Sequence, residues 1–293
     1  MFATRSVVAV IAAVIALLGC GPGKINAPQA TGASAAQAAG GARWTLGGVP
    51  CCALIAVPPA ALPVGTGTCP GVRPGAIVRS DVGQCTLNFL FQGSDGKRYI
   101  GTAGHCVLGA SSIGGGDVGE TSWAPGTGPV ARDSGGNRIG EFAYAILQDP
   151  KDFSLIRLDP QTQANAAMCN FGGPTGVNDD RPGLDQPVQL EWFGNGIVAG
   201  STLPARSAVA AGMPSPDHVF AQGVATPGDS GSGVISLDGR AVGALVTVGL
   251  HTGSLGLAGG DAGLVGITRL TPQVARAQQI LGTNLTLQSA PAQ

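Results

Sequence analysis

A mainly β chain closed by a C-terminal helix is what this sequence predicts, on three observations. Its 293 residues include 49 Gly and 21 Pro, which interrupt helix interiors and suit a protein with many turns. From about residue 46 the apolar residues fall in short runs broken by Gly, Pro and Asp. One stretch, 271–282, carries a helical apolar stripe before a glycine.

The elements follow in order. Residues 86–91 (Thr-Leu-Asn-Phe-Leu-Phe) and 98–101 (Arg-Tyr-Ile-Gly) read as strands joined by the turn Gly93-Ser-Asp-Gly96. The runs 188–192, 234–236, 241–248 and 263–268 read the same way, and Asp152 opens an apolar strand that runs to Leu158. Asp238-Gly239 between two of these runs is a hairpin signal, because both residues accept the backbone angles of a tight turn. In the helix, Thr271 is the expected cap and Pro272 suits the first turn, while Val274, Ala277 and Leu281 share one face before Gly282. The sequence shows no internal repeat.

The first 20 residues stand outside the fold. Arg5 precedes the continuous run Val7 to Leu18, which is short for a membrane span and reads as a signal-peptide core. It ends in Leu17-Leu18-Gly19-Cys20, which resembles the lipobox of bacterial lipoproteins and would make Cys20 the lipidated first residue. An ordinary secretory signal with a chance Cys is the other reading; either one exports the protein to the exterior or the cell envelope. Residues 21–45 are Gly, Ala, Gln, Ser and Pro with almost no bulky apolar group, a composition expected of a flexible tether. Residues 286–293 are expected to form a disordered tail.

Charge and cysteine content narrow the function. With 16 Lys+Arg against 17 Asp+Glu, the formal net charge is −1, so the chain lacks the basic footprint that neutralises nucleic-acid phosphates. Seven cysteines are present, at 20, 51, 52, 69, 85, 106 and 169; setting Cys20 aside leaves six, an even set suited to disulfides in an oxidising compartment. No Cys/His spacing suggests zinc, and no metal or cofactor is expected. Gly114, Gly116 and Gly119 spell a dinucleotide fingerprint, but Glu-Thr-Ser-Trp-Ala-Pro follows, which does not read as a helix.

Three segments carry chemistry: Thr102-Ala-Gly-His-Cys106, Asp152-Phe-Ser-Leu-Ile-Arg-Leu158 and Pro227-Gly-Asp-Ser-Gly-Ser-Gly233. A serine hydroxyl is a poor nucleophile until a base within hydrogen-bond reach takes its proton. His105 can do so near neutral pH. Asp152 would fix the imidazole tautomer and stabilise the imidazolium. Glycines around Ser230 let the amides of Gly228 and Ser230 converge on one spot as an oxyanion site. The order His, Asp, Ser differs from the Ser, acid, His order of α/β-hydrolases, and Ser232 occupies the last position of what would be their Gly-x-Ser-x-Gly. Ser134, in Asp133-Ser134-Gly135, reads as part of a polar turn, and His218 and His251 read as loop residues.

These segments resemble those of the chymotrypsin-like serine proteases, and Thr102-Ala-Gly-His-Cys106 looks most like the bacterial branch. The resemblance runs roughly from Arg73 to Gly282, within a protease domain of about 46–285. It implies two six-stranded Greek-key β-barrels, about 75–160 and 161–270, with the helix at 271–282 and the cleft between the barrels. It also implies an exported serine endopeptidase with Ser230 as nucleophile, His105 as base and Asp152 as orienting acid, acting on peptide or protein substrates. The family pairs the Cys after the catalytic His with one on a preceding strand, here Cys85 with Cys106. Cys51, Cys52, Cys69 and Cys169 lie outside that pattern; vicinal Cys51 and Cys52 are not expected to bridge each other, so they are expected to pair with Cys69 and Cys169. The chain lacks the Ile-Val-Gly-Gly start whose new terminus neutralises the Asp beside the nucleophile in animal members, so Asp229 needs another partner, such as an Arg not identifiable from sequence. The pocket floor of the family falls at Val224 and its substrate-binding triplet at Thr247-Val248-Gly249, which favour an apolar or small residue before the scissile bond. A catalytically silent protease-fold binding module and an esterase with the same triad are the alternative functions; reaction with a fluorophosphonate separates the first, and ester against amide turnover the second.

Overall fold

The computed structural model describes residues 69–109, 118–181, 188–196, 204–248 and 264–293. The signal-like segment, Cys20, Cys51, Cys52, the tether, Gly249 and His251 lie outside these residues. Everything below concerns the unit Ile55–Gln293.

Two β layers make up this unit. The first contains β1 (Ile77–Arg79), β2 (Gln84–Thr86), β3 (Leu90–Gly93), β4 (Arg98–Thr102), a single helical turn α1 (His105–Leu108), β5 (Gly119–Ser122), β6 (Val130–Arg132), β7 (Arg138–Gln148) and β8 (Lys151–Leu158). The second contains β9 (Gln189–Phe193), β10 (Ala205–Ser215), β11 (His218–Gln222), β12 (Gly233–Ser236), β13 (Ala241–Val248) and β14 (Leu264–Arg269). Helix α2 (Leu270–Leu281) and strand β15 (Leu285–Leu287) follow. The expected mainly β fold with a C-terminal helix is thus observed, and the second layer is a closed six-stranded barrel, β10-β11-β14-β13-β12-β9.

The first layer departs from the expected six-stranded barrel. Its strands form a nine-stranded sheet in the order β15-β3-β4-β8-β7-β6-β1-β2, with β5 also paired to β7, so the sheet is an open half-barrel. The strand read over 86–91 is divided between β2 and β3. Between them the Asn88 amide donates to Gly101 O at 2.7 Å, the Asn88 carboxamide accepts from Phe89 N–H, and the chain passes from its β1 partner to β4. Burial joins the two layers. Phe89, Phe91, Tyr99 and Phe153 of the half-barrel share one apolar cluster with Phe193, Ala205, Ile235, Ala241 and Leu270 of the second half. A further cluster of Leu190, Trp192, Val219, Val234, Leu245, Val265 and Ile267 fills the closed barrel.

Helix α2 begins at Leu270 with Arg269 in the cap position and no side-chain cap, so Thr271 lies inside the helix and its hydroxyl instead donates to the Asp179 carboxylate. Gly282 closes it in the left-handed conformation. The tail 286–293 is ordered, contrary to the expectation from its polar composition. Leu285, Thr286 and Leu287 pair with Gly93, Gln92 and Phe91, covering the edge of β3. Beyond them Gln288 N–H donates to Leu90 O, Ala290 N–H to Pro174 O and Gln293 N–H to Phe171 O. An edge strand offers unpaired amides and carbonyls to any segment that reaches it, so this order comes from a distant strand and not from local propensity.

Cys69 is bonded to Cys169, 100 residues away, and Cys85 to Cys106. The first bond corrects the pairing of Cys51 and Cys52 with these two cysteines. In the loop-entropy account the two cross-links contribute about 4–5 and 3 kcal/mol.

Truncation after Gly282 should uncover β3 and remove buried Leu285. Burial of one leucine is worth about 2 kcal/mol, so the thermal midpoint should fall by several degrees in a calorimetric scan. An unchanged midpoint would show that the tail contributes nothing to the fold.

Candidate active site

His105 enters the site from the end of β4. Gly104, just before it, passes so close to Ile146 O and Phe153 O that a side chain there would collide with the β7–β8 backbone. β7 and β8 form a long hairpin in which Asp152 pairs with Leu147, one step from the turn. Asp152 is thereby buried beneath His105. Its Oδ1 accepts from the His105 backbone N–H at 2.9 Å, and its Oδ2 lies 2.6 Å from His105 Nδ1. An ionised carboxylate only accepts, so Nδ1 carries the proton and Nε2 is left with a lone pair.

Burial pulls the His105 pKa down, while the charge of Asp152 and its hydrogen bond push it up; the balance is a value above the ordinary histidine range. The next segment is fixed too. Ser154 Oγ donates to Ala103 O at 2.8 Å, and the Cys85–Cys106 bond ties α1 to β2.

Ser230 sits in the turn before β12. Its carbonyl accepts from Thr86 N–H at 2.8 Å, and Gly231 N–H donates to Leu245 O at 2.6 Å. Gly231, at φ +88°, lies against Thr102 and Ala103, the residues that lead into His105. The nucleophile candidate and the His105 segment are therefore in neighbouring turns. Among the described residues, the amides of Gly228 and Ser230 donate to no protein acceptor, whereas Asp229 N–H donates to Thr226 O and Gly231 N–H to Leu245 O.

Sequence reasoning did not find the partner of Asp229. The carboxylate is fully buried and is met by both terminal nitrogens of Arg206, from β10. It also accepts from Gly196 N–H and Thr226 N–H, each at 2.7 Å. The guanidinium lies 5.9 Å from the Trp192 ring centroid. A bidentate fork and two amides satisfy a charge that burial alone would make costly. The only cue in the sequence was an Arg in an otherwise small and apolar run, 204–213.

Other candidates fall elsewhere. Ser232 is fully buried and donates to Asp229 O at 2.7 Å, so its hydroxyl is engaged. Ser134 lies in the exposed β6–β7 turn. His218, read from sequence as a loop residue, is buried on β11 against Phe220, since β11 is a barrel strand whose residues pair with β14. Val224 is 64% exposed, which does not fit a closed pocket floor; its carbonyl, not its side chain, faces Arg206. Thr247 and Val248 end β13. Cys85, His105 and Cys106 lie close enough to hold a metal ion, but the two sulfurs are bonded to each other and are no longer thiolate ligands.

No protein-family model matches the sequence, and no curated protein does. Solved structures that align with this chain include a glutamic acid-specific serine protease that uses a histidine triad in substrate binding, at 17% identity and TM-score 0.48, covering 74% of this chain and 100% of the other. Thermobifida fusca Protease A aligns at 16% identity and TM-score 0.48, covering 74% and 99%. A Nocardiopsis protease aligns at 18% identity and TM-score 0.45, covering 73% and 98%.

Removing the guanidinium with Arg206→Met should leave Asp229 charged, buried and unpaired. The expected loss of stability is about 3–5 kcal/mol, read from the urea unfolding midpoint. Arg206→Met with Asp229→Asn should recover part of it. A single variant as stable as the parent would mean the pair carries no structural weight.

Proposed function

We propose that this chain is an exported serine endopeptidase that cleaves peptide bonds through Ser230, His105 and Asp152. The observation that carries the reading is the double contact of Asp152 with His105, through the backbone N–H at 2.9 Å and Nδ1 at 2.6 Å. A carboxylate held this way orients an imidazole as a base and compensates the charge it gains. The docking of the Ser230 turn on the residues before His105 supports the choice of nucleophile.

In this reading Ser230 Oγ attacks the substrate carbonyl carbon while its proton passes to His105 Nε2. The oxyanion that forms is received by the amides of Gly228 and Ser230. Collapse breaks the C–N bond, and the proton on Nε2 goes to the departing amine, leaving an ester on Ser230. A water then attacks the ester, with His105 again taking the proton, and the acid product leaves as Ser230 regains its hydrogen. No metal or cofactor is needed at any step.

The substrate is a peptide or protein. An apolar or small residue before the scissile bond is proposed from the uncharged triplet Thr247-Val248-Gly249, not from exposed Val224. Export is supported by the apolar run at Val7 to Leu18 and by two disulfides, which persist in oxidising compartments. A lipid on Cys20 would hold the enzyme at the extracytoplasmic membrane face.

Ser230→Ala and His105→Ala should each lower kcat on an amide substrate by about 10⁶-fold, and the double variant little further, because the residues act as a unit. Near-normal turnover by Ser230→Ala would exclude the mechanism.

Activity should also fall with acid as His105 becomes protonated, with the limb above the ordinary histidine pKa because Asp152 raises it. Asp152→Asn should lower the plateau by about 10⁴-fold and move the limb to lower pH. A limb that stays in place would separate Asp152 from His105.

A further inference from the structure

Thr86 ends β2 directly after Cys85, is fully buried, and has each of its polar atoms engaged. Its N–H donates to Ser230 O at 2.8 Å, and its carbonyl accepts from Thr102 Oγ1 at 2.8 Å. Its hydroxyl donates to Gly228 O at 2.8 Å and accepts from the backbone N–H and Nδ2 of Asn195, each at 3.2 Å. Thr86 therefore holds the backbone on either side of Asp229, Gly228 O through its hydroxyl and Ser230 O through its backbone N–H.

The direction of these bonds is determined. Asn195 Nδ2 donates to Gly75 O at 2.7 Å, and a carbonyl only accepts, which fixes the orientation of the carboxamide. Two N–H groups then point at the Thr86 oxygen, and its single hydrogen is left for Gly228 O. The far side of the same peptide is held as well, since Asp229 N–H donates to Thr226 O at 3.0 Å. The next peptide, which carries the Ser230 N–H, is held at its carbonyl by Ser232 Oγ at 2.7 Å and Ser232 N–H at 2.9 Å. Both peptides that link the two amides are thus held at their carbonyls, while the Gly228 N–H, on the preceding peptide, and the Ser230 N–H are unengaged within the described residues.

We propose that Thr86 is a positioning residue for the oxyanion site: its hydroxyl, oriented by Asn195, fixes the Gly228–Asp229 peptide so that the Gly228 amide stays aligned with that of Ser230. The inference rests on the protease reading and adds to it a residue outside the triad. Thr86 touches neither the substrate nor His105. Its loss should weaken binding of the transition state, leaving ground-state binding and the titration of the base alone.

The test uses Thr86→Val, which keeps the shape but not the hydroxyl, and Thr86→Ser, which keeps the hydroxyl. On a peptide amide that the wild type cleaves, Thr86→Val should lower kcat about tenfold or more with KM within about twofold. That is less than the 10²–10³-fold loss expected from removing an oxyanion donor outright. Affinity for a peptide boronic acid, which becomes tetrahedral on Ser230 Oγ, should fall by the same factor. Affinity for the product peptide carboxylate and the acid limb of the pH profile should not move. Thr86→Ser should restore most of the activity, and Thr86→Ala carries the same expectation should the valine variant not fold. Wild-type kcat and boronate affinity in the variant lacking the hydroxyl would overturn the proposal, as would equal shifts in kcat and KM. A wild-type protein that cleaves no peptide overturns the protease reading and this inference together, whereas an active wild type with unaffected variants overturns the role of Thr86 alone.

Discussion

The site depends on the absence of a side chain at position 231. With φ at +88° and Thr102 Oγ1, Thr86 O and Ala103 N crowded around it, no larger residue fits there without displacing the backbone that leads to His105. That close approach sets Ser230 beside the imidazole segment and lets Thr86 N–H reach Ser230 O. The two halves of the structure thus meet through backbone, with little freedom for either turn to shift. A rigid constellation of this kind is what catalysis by orientation requires.

Electrostatics reinforce the same turn. Asp229, between the two candidate oxyanion amides, is fully buried and is met by Arg206 from β10, Gly196 after β9 and Thr226 three residues upstream. The carboxylate therefore ties its own turn to β10 and to the segment after β9. In the half-barrel, Asp152 does the same for His105, with one oxygen on the backbone and one on the ring. In both places a buried acid uses its two oxygens to fix a neighbour in place.

The local parts of this arrangement were legible in the sequence. Strand β13, the Asp238-Gly239 hairpin and the body of α2 come from short-range pattern, and the structure places them where the pattern does. The contact of His105 with Asp152, and that of the Ser230 turn with Thr102 and Ala103, involve segments that the sequence marks by glycines or an apolar run. What sequence reasoning missed is set by distant partners. The Arg206–Asp229 pair spans 23 residues, and the β15–β3 pairing joins the chain end to a strand nearly 200 residues earlier. The polar tail 286–293 gave no hint of order, because its hydrogen bonds go to β3 and to the 171–174 segment. The role of Thr86 was equally hidden, since nothing in Gln84-Cys85-Thr86 indicates that Gly228 O lies within reach of its hydroxyl.

The central claim is that Ser230 is a nucleophile activated by His105, and covalent labelling tests it most directly. The protein should react with a fluorophosphonate, Ser230 Oγ displacing fluoride, and peptide mass mapping should find the adduct on Ser230 alone. Labelling should be lost in His105→Ala, which keeps the serine but removes its base. An unlabelled wild-type protein, or an adduct on Ser134 or Ser232, would contradict the account.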